Sequence, residues 1–265
     1  MNLSEATWTD VRDHDGRLAF LPVGATEQHG PHAPLGTDAL NAVAVAEAGA
    51  ETVAARSGAG GGDDEDGEGN GDVDRSEPVV APPVHVGVSE EHRAFDGTLW
   101  VSPDAFRRYV RETAESLVAA GFDRLVLVNG HGGNVEALAE VARRLSRDDG
   151  ASAGAGAHAV AFTWFEAVGD HTSDMGHAGP LETALLRHAN PELVREARVE
   201  AAATDAAARW GEWVAGVNLA HDSDEFTDNG VVGDPTAGDA DRGAELLDRA
   251  ASSLADLAAA VAERE

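Results

Sequence analysis

Three short apolar runs, Leu18 to Val23, Leu125 to Val128 and Ala159 to Phe165, each end in a glycine-rich or polar turn. Runs of that length bounded by turns predict buried strands. Between them the spacing changes. Thr37 to Ala55 carries Ala, Val and Leu at helical intervals, which predicts a helix with Asp38 in its first turn, where the helix dipole favours a carboxylate. Ser102-Pro103-Asp104 supplies an N-cap, an N1 proline and an acidic N2 for a helix lasting to about Ala120. Asn134 to Leu145 predicts a third helix. Leu246, Leu247, Ala250, Leu254, Leu257 and Val261 recur at three- and four-residue steps along an amphipathic C-terminal helix, packed on the core or on a neighbour. Strand, turn and helix alternate, so the expected fold is α/β with a mostly parallel central sheet covered on both faces.

The polar residues that follow the strands carry the chemistry. After the first run comes Glu27-Gln28-His29-Gly30-Pro31-His32-Ala33-Pro34-Leu35-Gly36-Thr37-Asp38, with carboxylates and imidazoles close together where open α/β sheets bind their ligands. After the second comes Asn129-Gly130-His131-Gly132-Gly133-Asn134, whose glycines allow an imidazole to be aimed into a crevice. After the third comes Asp174-Met175-Gly176-His177-Ala178-Gly179-Pro180-Leu181-Glu182-Thr183. Oxygen and imidazole donors in this mixture suit zinc, manganese or iron(II), and the absence of cysteine removes thiolate sites.

Composition narrows the class. With 265 residues, 43% hydrophobic, the chain is expected to bury one core over residues 1–265. No cysteine means no disulfide framework and no thiol nucleophile. No apolar leader follows Met1, and no apolar run approaches a membrane span, so a cytoplasmic protein is expected. The net charge is −29 and every basic side chain is Arg, a balance that repels nucleic acid and anionic membranes. It is similar to proteins that work in concentrated intracellular salt, where the Debye length shrinks to roughly 3 Å. From residue 57 to 77 the acidic, glycine-rich run lacks the apolar residues needed to offset ordering, and a flexible insertion is expected.

The three clusters, in this order, resemble the creatininase family of metal-dependent amidohydrolases: Glu-x-His-Gly-x-His-x-Pro-x-x-Thr-Asp, then Asn-Gly-His-Gly-Gly-Asn, then His-Ala-Gly-x-x-Glu-Thr. The resemblance implies a three-layer α/β/α single domain and two divalent metal ions per chain. Glu27, Asp38 and His131 would hold one ion, and His29 with a bridging Asp38 the other. Where creatininase takes a further ligand from a Glu two residues after the strand-end His, this chain has Gly133. Glu182 is the substitute ligand, or a proton shuttle. His177 or Glu182 would supply a proton to the leaving nitrogen. Asp174, Trp164 and His92 are the expected substrate contacts, with Asp174 alternatively orienting His177, and His32 stands behind the ligands.

The function expected is hydrolysis of a non-peptide C–N bond, in a cyclic amide or formamide, by a metal-activated water. An alternative is the deformylase of 2-amino-5-formylamino-6-ribosylaminopyrimidinone monophosphate in flavin or deazaflavin synthesis, whose phosphate would need an Arg or a helix N-terminus near the pocket, Arg93 being the arginine close to a motif. A third is a catalytically silent metal-binding oligomer. By resemblance the partners are a small amide and further copies of the chain, as a hexamer.

Overall fold

The structure is a computed structural model and describes residues 1–59, 77–147, 156–169 and 174–264. Its elements are α1 (Trp8–Arg12), β1 (Leu18–Val23), α2 (Thr37–Ala59), β2 (Val79–Val80), α3 (Pro103–Ala119), β3 (Arg124–Asn129), α4 (Val135–Leu145), β4 (His158–Thr163), α5 (Trp164–Ala167), α6 (Pro180–Ala189), α7 (Val199–Thr204), β5 (Trp213–Val214), β6 (Val217–Asn218) and α8 (Ala240–Ala262). β1 to β4 form one parallel sheet in the order β2-β1-β3-β4, and β5 and β6 make a small antiparallel hairpin.

Every residue of β1 and β3 is buried, which is why these strands read as continuous apolar runs. Alternate residues still part company. Leu18, Phe20, Val126, Val128 and Phe162 enter one apolar layer, with Val45, Leu181, Leu246 and Leu254. Ala19, Leu21, Leu125, Leu127 and Ala159 enter the other, with Phe106, Val110, Leu138 and Val141. The two-residue period thus divides each strand between α2, α6 and α8 on one face and α3 and α4 on the other. Fully burying one of these Leu or Phe side chains stabilises the fold by roughly 1.5–3 kcal/mol. The expected mostly parallel α/β sheet, helices on both faces, is present.

The boundaries depart from expectation in three places. α2 continues to Ala59, so only residues 60–76 of the insertion expected over 57–77 remain, and they lie outside the described residues. The third apolar run leaves the sheet at Thr163, because Trp164 turns into α5 and is swallowed by the core beside Leu181 and Leu185. Asn134 stands before α4 rather than in it. Its side-chain amide donates to Gly24 O at 3.0 Å and its Oδ1 accepts Val88 N–H at 3.0 Å, which ties β1 to the loop ahead of α3. The C-terminal helix packs on α2 and α6 of its own chain. Among the described residues no helix is long and apolar enough to cross a membrane.

Candidate metal centre and active site

From β1 the chain goes to β2 on one side, while β3 pairs on the other, so the carboxyl ends of β1 and β3 flank a crevice at the point where the strand order diverges. Glu27 and His29 leave β1 into that crevice, and His131 leaves β3. Asp38 arrives from the first turn of α2. Its approach depends on Gly130, where a Cβ would stand 2.2 Å from Asp38 O, so any side chain would push α2 away from β3. His177 is delivered from a greater distance, by an antiparallel bridge in which its N–H donates to Val232 O at 3.0 Å and Val232 N–H donates back at 2.9 Å. Glu182 enters from the first turn of α6.

All six side chains are buried. His131 Nδ1 lies 3.1 Å from Glu27 Oε1 and 3.3 Å from Asp38 Oδ2, and His29 Nε2 lies 3.0 Å from Asp38 Oδ1 and 3.8 Å from Glu182 Oε1. His177 Nδ1 is 3.7 Å from Glu27 Oε1. The far nitrogen of each ring meets a backbone carbonyl: Glu27 O for His29 at 3.2 Å, Val88 O for His131 at 2.7 Å and Gln28 O for His177 at 2.7 Å. A carbonyl can only accept, so these partners hold one proton on the outward nitrogen and, in the neutral rings, leave three lone pairs facing the carboxylates.

Whether the donors fit a metal can be asked of the unsatisfied atoms. Both carboxylate oxygens of Glu27, and Oδ2 of Asp38, are buried without a hydrogen-bond partner. Buried anionic oxygens in that condition are costly unless a cation or proton neutralises them. Ligand atoms of Glu27, Asp38 and His131 lie within 4.8 Å of one another, as do those of His29, His177 and Glu182, and of Glu27, His92 and His177. The donor set fits divalent metal. Without metal, protons take its place. Burial raises Glu27 to a pKa of about 7. For His29 and His131 burial opposes the charged ring, but Asp38 with Glu182, and Glu27 with Asp38, outweigh it and raise both pKa values. Burial works the same way on Asp38, and His29 with His131 overcomes it to hold Asp38 well below the usual carboxylate range. His177 is instead pushed down to about 4 by burial and by the neighbouring His29.

The creatinine amidohydrolase profile of the creatininase family matches residues 4–258. The chain belongs to that family. A mycofactocin precursor peptide peptidase of Mycobacterium ulcerans is 37% identical over 94% of this chain and 86% of its own length. The creatinine amidohydrolase of Pseudomonas putida is 25% identical over 74% of this chain and 75% of its own. Among solved structures, a creatininase in a Zn–Zn form superposes with a TM-score of 0.70 at 23% identity, covering 97% of this chain and 96% of that one, a likeness of fold. The chain is therefore a hydrolase of the creatininase family, with groups suited to hold metal.

Of the other residues read from the sequence, some join this centre and some do not. His92 does: it is buried in a chamber of about 190 Å³ with His131, Gly133, His177 and Glu182. Its ring stacks on His177 at 4.3 Å, and burial, with His177 next to it, depresses its pKa. Trp164 does not, because the core swallows it. The aromatic faces of the chamber belong to Trp210, edge-on to His92 at 5.5 Å and to His177 at 5.8 Å, and to Phe165. Trp210 lies in a loop with no periodic signal, so the sequence offered no reason to choose it. Asp174 lines an adjoining groove of about 510 Å³, and its carboxylate pairs with Arg242 at 3.1 Å. Arg93 is paired with Asp222 at 2.6 Å and with Glu90 at 3.4 Å. His32, held neutral by burial with a pKa near 4, meets Thr183 Oγ1 at 3.0 Å behind Glu182.

Gly133 has a steric reason. A Cβ there would stand 2.2 Å from Val88 O, 2.5 Å from His131 Nε2 and 3.0 Å from Glu91 Oε1. Glu182 uses its two oxygens separately: Oε2 accepts the Ala178 N–H at 2.6 Å and Oε1 faces His29.

Proposed function

We propose that this protein is a metal-dependent hydrolase that cleaves an amide C–N bond of a short peptide. The observation that carries the hydrolytic reading is the meeting of orphaned Glu27 and Asp38 oxygens with the lone pairs of His29, His131 and His177. When bound, divalent metal lowers the pKa of a water and polarises a carbonyl. Glu27, Asp38 and His131 would hold one ion, and His29, Asp38 and Glu182 the other. Glu182 acts as a ligand in this reading, since its second oxygen is already committed to the Ala178 amide. His177 is the proton carrier. Its low pKa leaves Nδ1 free to take a proton from the attacking water, and the same atom can return it to the leaving nitrogen.

The peptide assignment rests on the relatives at 35–38% identity, all named mycofactocin precursor peptide peptidase. It is supported by the groove beside the chamber, which shares Met175, Gly176 and Trp210 with it and gives an extended chain somewhere to lie. Arg209, without a hydrogen-bond or ion-pair partner among the described residues, lines that groove and offers a cation to a substrate carboxylate. This revises the expectation of a non-peptide bond. A small cyclic amide or formamide is the second reading, favoured by the size of the inner chamber, about 190 Å³. Commitment of Arg93 to Asp222 weighs against the phosphate-bearing ribotide, and retention of the whole donor set weighs against a silent oligomer. Assembly into a homo-oligomer is supported by the roughly half-exposed apolar side chains of Trp213, Val214, Val217 and Leu219 on the hairpin.

The test is a substrate panel on zinc- or manganese-loaded protein in high salt. Short peptides, formamides and cyclic amides would be compared by mass spectrometry, with Arg209→Ala alongside. Peptide cleavage with a raised KM in Arg209→Ala is expected. Turnover of cyclic amides alone would overturn the peptide assignment.

A further inference from the structure

Four buried imidazoles face Glu27 and Asp38, and one of them is wired backwards. His29, His131 and His177 each give their outward proton to a carbonyl. The outward nitrogen of His92, Nδ1, instead meets Gln28 Nε2 at 2.9 Å. The Gln28 amide is fixed from both ends, because its Oε1 accepts Gly30 N–H at 2.9 Å and its Nε2 donates to Gly230 O at 2.9 Å. The group turned toward His92 is therefore the NH₂, which can only donate. Nδ1 must accept, so the proton of the neutral ring sits on the inward nitrogen, Nε2, 3.5 Å from Glu27 Oε1. Ser223 is compatible with this: its Oγ is 3.0 Å from Glu91 O and 3.1 Å from His92 Nδ1, and it gives its single hydrogen to either acceptor.

The ring is also held between two others. It is stacked on His177 at 24° and closed at its edge by Trp210. An N–H fixed in direction at the wall of a chamber lined by buried side chains is suited to an oxygen that gains negative charge.

We propose that His92 is a hydrogen-bond donor built into the chamber and not a further metal ligand, and that Gln28 is the positioning residue that keeps its proton on Nε2. Its target is the carbonyl oxygen of the amide substrate as that oxygen becomes an oxyanion, and this last step rests on the hydrolase reading above. The third grouping of possible ligand atoms, Glu27 with His92 and His177, is on this account not a metal site: Nε2 of His92 has no lone pair to give.

The experiment is a two-bond ¹H–¹⁵N imidazole spectrum of the zinc-loaded protein, with His92 assigned by its disappearance in His92→Gln. Metal content and kinetics of His92→Leu and His92→Gln are measured in parallel. The expected results are Nε2–H for His92, unchanged metal content in both variants, and kcat lower by about 10²-fold in His92→Leu with KM little altered. His92→Gln, whose amide N–H can reach the same place, should recover part of that loss. A proton on Nδ1, metal lost from His92→Leu, or wild-type turnover in His92→Leu would overturn the proposal. Should the wild type cleave no amide at all while His92 carries Nε2–H and His92→Leu keeps its metal, the hydrolase reading fails and the donor assignment stands.

Discussion

The backbone N–H of Ala178 donates to Glu182 Oε2 at 2.6 Å, and Ala178 holds φ at +49° to do so. A left-handed alanine costs on the order of 1 kcal/mol, and here the strain sets the corner that carries His177 into the chamber. Glu182→Gln keeps an oxygen for that amide but removes the charge facing His29. Elemental analysis should find one metal per chain in place of two, with the fold intact by circular dichroism. Two metals retained in Glu182→Gln would remove Glu182 from the ligand set.

Putting back a glutamate after the strand-end histidine should harm rather than help. The Cβ of Gly133→Glu would collide with Val88 O and His131 Nε2, displacing the imidazole from Glu27 and Asp38. Lower metal affinity and a lower melting temperature than wild type are expected from titration and calorimetry. A variant that binds metal more tightly would show that the backbone yields and that the glycine has no steric role.

Metal binding should release protons. In the metal-free protein His29 and His131 have raised pKa values, and Glu27 is raised to about 7, so all three carry protons at pH 6. A ligand must lose its proton to bind, so apparent affinity rises with pH through the region around 7. Isothermal titration in two buffers of different ionisation enthalpy reads the release directly. An affinity independent of pH between 6 and 8 would contradict the protonated, metal-free cluster.

Salt should stabilise the fold. A net charge of −29 repels itself in dilute buffer, and screening at 2 M KCl removes most of that repulsion. The unfolding midpoint is expected to rise by several degrees between 0.1 and 2 M KCl. A flat or falling midpoint would show that the acidic surface is not balanced by salt.

The strands and the residues that leave them were legible because they are local properties of the chain. An all-parallel, doubly covered sheet needs uninterrupted apolar runs such as Leu18 to Val23. The polar residues immediately after them, Glu27, His29 and His131, have nowhere to go but the carboxyl edge. Asp38 was legible for the same reason, as a first-turn carboxylate. The end of α2 lies past the expected one because Ser57-Gly58 reads as a stop signal, yet helix propagation past Ala55 costs little once the preceding turns are packed and carries the helix through that glycine to Ala59.

What the sequence alone determined, then, is the sheet, the order of the His- and carboxylate-bearing turns that follow its strands and the acidic surface, since periodicity and composition are read residue by residue. Tertiary structure alone decided that Trp164 is core while Trp210 walls the chamber, that Arg93 is spent on Asp222, and that His92 turns its Nδ1 to the Gln28 side-chain amide and its Nε2 toward Glu27. Each of those depends on a partner far along the chain. Which nitrogen of an imidazole is free is settled by whether a carbonyl or an amide NH₂ meets the other one, and no spacing along the sequence encodes that meeting.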